Sequence, residues 1–444
     1  MTQITFISPS QVREILGKHI LADGFEPIID LEKSHGSWIV DARNGKEYLD
    51  LFSMFASVPV GYNHPKIIES KDRITIAALN KPTNSDLYTT QLAEFVETFF
   101  EVAVPDGFEY GFFIEGGALG VENALKAAFD WKIKKNFMKD GRNSEIGHKV
   151  IHFEQSFHGR TGYTLSLTNT ADPRKTAYFP KFDWPRILNP KISFPLNKDN
   201  IEKVKSLERK ALDQIDRAIN EYGDDIASLI IEPIQGEGGD NHFRKEFLQA
   251  LRTICDENEI MLIFDEVQTG MGISGKMWSW QKFNIAPDLM CFGKKSQVCG
   301  FVSNKRIDEV KENVFNESSR INSTFGGNLT DMVRTTIYLE IIRDENLLNT
   351  AASNGEYLLS ELQSIQNDYP EMVSNARGLG LMCAFDLPDT TVRDRSLKSI
   401  FENGAFILGS GPNSIRFRPP LNISRNEIDF GIEIIRKALN IIRN

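Results

Sequence analysis

The sequence predicts an α/β fold: a large domain built on a mostly parallel sheet, followed by a smaller α+β domain. Three observations carry this. Short, largely apolar runs of strand length recur through the centre of the chain. Amphipathic stretches of helix length separate them. After about Asn328 the texture changes to long helices and short strands.

The elements follow in order. The first 60 or so residues mix a short helical pattern with strand-like segments at Ser37–Val40 and Tyr48–Leu51. Tyr110–Ile114 is predicted as a strand and Ala118–Phe137 as the helix it opens into. Lys149–Phe153, Ile226–Ile231, Ile260–Phe264 and Leu289–Phe292 are predicted as further strands, too short and too uniformly apolar for surface helices. Ile201–Tyr222 and Lys245–Asn258 carry helical periodicity between them. Beyond the change of texture, Thr330–Arg343 and Ala351–Tyr369 are predicted helices, and Leu379–Phe385 and Ile415–Phe417 strands. Ser424 and Glu427 form a capping box for a last helix, in which Ile428, Ile432, Ile435, Leu439 and Ile442 repeat at helical spacing.

With 444 residues the chain exceeds one ordinary domain, and roughly two to three lobes are expected. Its 41% hydrophobic and 25% charged residues are those of a globular protein with ample core. A formal net charge of -10 argues against nucleic acid as a partner, since phosphate-backbone binding needs clustered Lys and Arg. It leaves room for a local basic pocket. Cys255, Cys291, Cys299 and Cys383 are scattered without a CxxC pair, so neither a disulfide scaffold nor a metal site is expected. No apolar run approaches the ~18 residues of a membrane span. The N-terminal segment lacks the charged start and apolar run of a signal peptide, so a cytoplasmic location is expected.

In an open α/β sheet, ligands bind beyond the carboxyl ends of the strands. Four strand ends carry polar residues. Glu115-Gly116-Gly117-Ala118 opens directly into a helix, whose free amides and dipole favour an anion; a plain tight turn is the alternative. The stretch lacks the Lys-Ser/Thr ending of a P-loop and the third glycine of a dinucleotide fingerprint. Asp265, ending a strand, suits a helix cap, a metal ligand or the counter-ion of a protonated ring nitrogen, with Gln268 following as a donor. Lys294 ends another strand, about 30 residues and one strand-helix-strand unit later. A lysine there either snorkels to water or serves as a nucleophilic amine, which requires a lowered pKa. Glu232 to Gly239 forms an acid- and glycine-rich loop whose acids suit ordinary solvated charges equally well.

Taken as an ordered set, these stretches resemble a known family. EPIQGEGG (232–239), IFDEVQTGMGISG (263–275), FGKK (292–295), STFGGN (323–328) and IRFRPP (415–420) match class III ω-aminotransferases of the pyridoxal-5′-phosphate (PLP) fold type I, over nearly the whole chain. Within that class the sequence is similar to the L-lysine 6-aminotransferases, notably at residues 50–54, 81–86, 115–118 and 294–300.

The resemblance implies a seven-stranded sheet, a large PLP-binding domain at 61–330, a small domain at 331–444, and a segment 1–60 contributing to the small domain. It implies that Lys294 carries the cofactor and shuttles a proton, that Asp265 faces the pyridine nitrogen, and that Gln268 lies near the phenolic oxygen. Gly117 and Ala118 match the phosphate cradle, with alanine where serine is usual. Thr324 matches a threonine that reaches the phosphate of the neighbouring subunit, implying a homodimer with composite sites. Phe157 matches the residue stacked on the cofactor ring, and Arg160 the one holding the carboxylate of the amino donor. Arg416 matches the arginine for the α-carboxylate of glutamate or 2-oxoglutarate, and Glu237 the glutamate that neutralises it while the donor is bound. The implied reaction moves the ε-amine of L-lysine to 2-oxoglutarate, giving 2-aminoadipate 6-semialdehyde and L-glutamate. Ornithine, 4-aminobutyrate or 2,4-diaminobutyrate are the alternative donors.

Overall fold

The computed structural model describes residues 7–139 and 144–443. Its centre is a seven-stranded sheet in the order Phe108–Ile114, Cys299–Asn304, Leu289–Phe292, Met261–Asp265, Ile226–Ile231, Lys149–Phe153, Arg186–Ile187. Cys299–Asn304 runs antiparallel to both neighbours, while the remaining pairings are parallel. Ile226–Ile231 and Met261–Asp265 are buried along their whole length. That is why they are mainly apolar rather than alternating, with Ser228 and the terminal Asp265 as the polar exceptions: helices cover both faces of a parallel sheet.

The helices obey the same logic. In Lys245–Glu257 the buried residues Phe247, Leu248, Leu251 and Cys255 fall on one face. Each fully buried Leu or Phe contributes about 1.5–3 kcal/mol. Gly117–Phe137 is instead enclosed on most sides, with Gly120, Val121, Ala124, Leu125, Ala128 and Trp131 among its buried residues. A Cβ on Gly120 would stand 2.9 Å from the Gly300 carbonyl oxygen, so the glycine lets this helix lie directly on the antiparallel strand.

A second sheet joins Ser374–Leu379, Met382–Asp386, Ser414–Phe417 and Leu408–Ser410. Here the single strand expected at Leu379–Phe385 is corrected. The chain turns at Gly380, whose φ of +58° no strand accommodates, and two antiparallel strands result. A third sheet pairs Trp38–Val40 and Glu47–Asp50 with Ala405–Phe406, in a parallel register of Leu49 with Ala405. The last helix, Arg425–Arg443, buries Ile428, Ile432, Ile435 and Leu439 and is opened by the expected capping box: the Ser424 amide donates to Glu427 Oε2 at 2.7 Å. Its Gly431 lies against Leu49 and Leu51, tying the two ends of the chain together. Among the described residues no helix is long and apolar enough to cross a membrane.

Candidate active site

Five strands of the large sheet end at one cavity of about 330 Å³, lined by Gly117, Ala118, Phe157, His158, Gly159, Arg160, Glu232, Asp265, Val267, Gln268 and Lys294. The parallel direction of most strands causes this convergence, because each delivers its carboxyl end to the same edge. Two backbone features shape the wall. Gly116 takes φ +104° where the strand turns into the helix starting at Gly117. A Cβ on Gly159 would come within 2.4 Å of Ala118 Cβ, so the two loops touch only because residue 159 has no side chain.

Lys294 and Lys295 separate cleanly. Lys294, with φ +53°, lines the cavity. Burial pulls its amine below the ordinary lysine value against the opposing pull of Asp265, the direction that favours a nucleophile or base. Lys295 points away, and its Nζ donates to the backbone carbonyl of Gln268 at 3.1 Å.

Asp265 is held from two sides: Val267 N donates to Oδ1 at 3.0 Å and His158 Nδ1 donates to Oδ2 at 2.7 Å. Glu232, read from the sequence as equally suited to a solvated loop charge, is buried at 4% exposure. It accepts from the amides of Phe157 (2.9 Å) and Gly236 (3.0 Å), which fixes the loop carrying Phe157. Burial, with the charge of Asp265 adding to it, pushes its pKa up to about 7.

Gln268 is oriented by a residue the sequence reading passed over. Arg418 donates to Gln268 Oε1 from Nε (3.0 Å) and Nη2 (2.8 Å), and is itself clamped by Asp240 at 2.9 and 2.5 Å. With its carbonyl oxygen taken by a guanidinium, Gln268 presents its amide NH₂ as the group free to donate. Arg418 stands two residues beyond Arg416, hence on the same side of an extended chain, and that spacing was the available signal.

Glu237 and Arg416 form an ion pair at 3.0 Å on the neighbouring wall. Burial raises the Glu237 carboxyl, but Arg416 and Lys175 outweigh it and hold the group below its ordinary value. The Nε and Nη1 atoms of Arg416 are buried without a partner. Arg160, by contrast, is exposed on the cavity rim and has no ion pair or hydrogen bond among the described residues. Thr324 lies outside this cavity on an exposed loop, where its carbonyl accepts from Ser85 Oγ at 3.2 Å.

The donor set fits PLP. A carboxylate, a buried lysine amine, a partly buried phenyl ring and the uncapped amides of a 21-residue helix surround one space. These answer the ring nitrogen, aldehyde, ring face and phosphate of that cofactor.

Comparison with known proteins agrees. The class-III aminotransferase family model matches residues 21–439. The L-lysine-epsilon aminotransferase of Mycobacterium tuberculosis is 48% identical over 438 residues, covering 98% of this chain and 96% of that protein. That of Streptomyces clavuligerus is 47% identical over 435 residues, covering 97% and 94%. The human mitochondrial 4-aminobutyrate aminotransferase is 32% identical over 410 residues, covering 88% and 80%. The solved structure of lysine aminotransferase from M. tuberculosis in the internal aldimine form superposes with a TM-score of 0.96 at 48% identity, covering 98% of this chain and all of that one. With the seven-stranded sheet, the lysine at its strand end and the match along nearly the whole chain, this protein belongs to the class-III aminotransferases, which work with PLP.

Proposed function

We propose that the enzyme transfers the ε-amino group of L-lysine to 2-oxoglutarate, producing 2-aminoadipate 6-semialdehyde and L-glutamate. The observation that carries this is the opposite state of two arginines: Arg416, beside the cavity, is neutralised by Glu237, while Arg160, on the cavity rim, has no ion pair or hydrogen bond among the described residues. A free guanidinium on the rim suits the α-carboxylate of a donor whose far amine enters the cavity, because a guanidinium binds a carboxylate as a fork. The near-half identity to lysine aminotransferases supports lysine as that donor.

The bound PLP supplies an electrophilic carbon and an electron sink. The chain supplies the rest. Asp265, fixed by His158 and Val267, holds the ring nitrogen protonated. Gln268, aimed by Arg418, donates to the phenolic oxygen. Phe157 would cover the ring, and the amides at Gly117 and Ala118 would receive the phosphate. Lys294 Nζ, its pKa lowered by burial, would take the proton from the amine-bearing donor carbon and deliver it to the former aldehyde carbon of the cofactor. Arg160 sets which amine reacts by fixing the other end of the donor. In the second half-reaction Glu237 leaves Arg416, whose guanidinium then receives the α-carboxylate of 2-oxoglutarate.

A donor panel of lysine, ornithine, 4-aminobutyrate and 2,4-diaminobutyrate, each with 2-oxoglutarate and read as glutamate formed, tests the reading. Highest kcat/KM with a donor other than lysine would replace it.

The proposed working unit is a homodimer in which Thr324 reaches the phosphate in the partner's site. Its exposed loop, tied to Asn84 and Ser85, supports this, as do the exposed Leu79, Leu87 and Tyr88 nearby. Sedimentation at twice the 50.3 kDa chain mass is expected. Domain limits of 1–60 with 331–444, and of 61–330, are proposed alongside, supported by the pairing of Leu49 with Ala405.

A further inference from the structure

We infer that Lys175 is a positioning residue of this site: the second cation of the Glu237 gate, which keeps the carboxylate when it leaves Arg416. The inference rests on the two-substrate reading above.

The two oxygens of Glu237 are divided between two cations. Oε2 accepts from Arg416 Nη2 at 3.0 Å, and Oε1 accepts from Lys175 Nζ at 2.5 Å. The two cations differ in freedom. Arg416 belongs to the strand Ser414–Phe417, paired on both sides with Ala384 and Leu408, and is buried at 3% exposure. It cannot follow the carboxylate. Lys175 ends the short turn Pro173–Lys175, its side chain is about a quarter exposed, and its ammonium lies 5.8 Å from the centre of the Phe157 ring. A flexible four-carbon stem lets it follow.

There is also space on its side. Glu237 and Lys175 together line an open cleft of about 600 Å³ that runs between residues 170–175 and small-domain residues 390–412, and Arg416 does not border it. A carboxylate rotating off Arg416 therefore moves into this cleft while keeping its lysine. Without Lys175 the same movement would leave Glu237 with neither of the two cations it holds in the closed gate, facing only water and the Arg174 and Arg393 that also line the cleft. Lys175 thus lowers the free energy of the open gate relative to the closed one, and acts on the dicarboxylate half-reaction alone.

The test uses the holoenzyme and its pyridoxamine form in separate single-turnover experiments, with absorbance as readout. In Lys175→Met, half-saturation by 2-oxoglutarate is expected to rise about tenfold, the order of one charge-assisted hydrogen bond. The half-reaction with lysine is expected to stay within about twofold of the parent, and Lys175→Arg to restore the dicarboxylate step. Equal slowing of both half-reactions, no change in either, or slowing of the lysine step alone would overturn the inference. Glu237→Gln separates the two levels. If it leaves the balance of the half-reactions unmoved, the gate reading itself fails. If it moves the balance and Lys175→Met does not, only the role of Lys175 falls.

Discussion

His158 Nδ1 lies 2.7 Å from Asp265 Oδ2, so the carboxylate at the floor of the cavity is fixed by a ring 107 residues away in sequence. The other oxygen is held by the amide of Val267, and the group has no freedom to turn away from whatever occupies the cavity. This pairing makes Asp265 a preorganised counter-charge rather than a solvated one.

Asp265→Asn keeps the shape and the acceptor for His158 but removes the charge. Removing one partner of a buried ion pair costs about 3–5 kcal/mol. If expressed in the barrier, kcat falls by roughly two to four orders of magnitude. Steady-state kinetics with lysine and 2-oxoglutarate, beside a measurement of bound cofactor, check this. A drop below tenfold with cofactor retained would show that the charge is not used.

Lys294 and Lys295 are adjacent, yet only Lys294 lines the cavity. Borohydride reduction of the holoenzyme followed by peptide mass spectrometry is expected to find the cofactor on Lys294 alone. Lys294→Ala should abolish trapping. Lys295→Met should keep it, losing at most the single hydrogen bond to the Gln268 carbonyl, about 1 kcal/mol. Label on Lys295 would reverse the assignment.

Arg160 stands on the rim without an ion pair or hydrogen bond among the described residues, so its truncation breaks no such contact there. Arg160→Ala should raise KM for lysine by roughly ten- to a hundredfold, the loss of hydrogen bonds to a charged group worth about 1.5–3 kcal/mol. KM for 2-oxoglutarate should move far less. An unchanged KM for lysine would take Arg160 out of the donor site.

Glu232 gives a pH signature. Its pKa is about 7 in the fold against an ordinary 4.5, so the folded chain holds this proton more tightly than the unfolded one. The stability it contributes is complete below the unfolded value and is lost as pH rises through the folded one. The full swing is about 3 kcal/mol, at 1.36 kcal/mol per unit. Glu232→Gln cannot ionise, so its melting temperature relative to the parent should climb between about pH 5 and pH 8. A difference that is flat across that window would mean that Glu232 stays ionised throughout.

The sequence by itself determined most of the central strands and helices and the residue types at their ends, though not the strands Cys299–Asn304 and Arg186–Ile187. The strands Lys149–Phe153, Ile226–Ile231 and Leu289–Phe292 were legible to the residue, because strands buried on both faces are mainly apolar and do not alternate with polar residues. The polar residues at their ends were legible as well, since a burial pattern breaks where a strand reaches its ligand edge. The Leu379–Phe385 run misled because apolar residues flank the turn at Gly380 on both sides, and periodicity alone does not show a reversal of direction.

Tertiary structure decided what meets what. That His158 holds Asp265, that Arg418 aims Gln268 from 150 residues away, and that Glu237 is shared between Arg416 and Lys175 depend on the order of strands in the sheet. So does the antiparallel course of Cys299–Asn304. Local sequence encodes which face of an element is buried. Which elements become neighbours follows from packing the whole chain, and no stretch of it contains that answer alone.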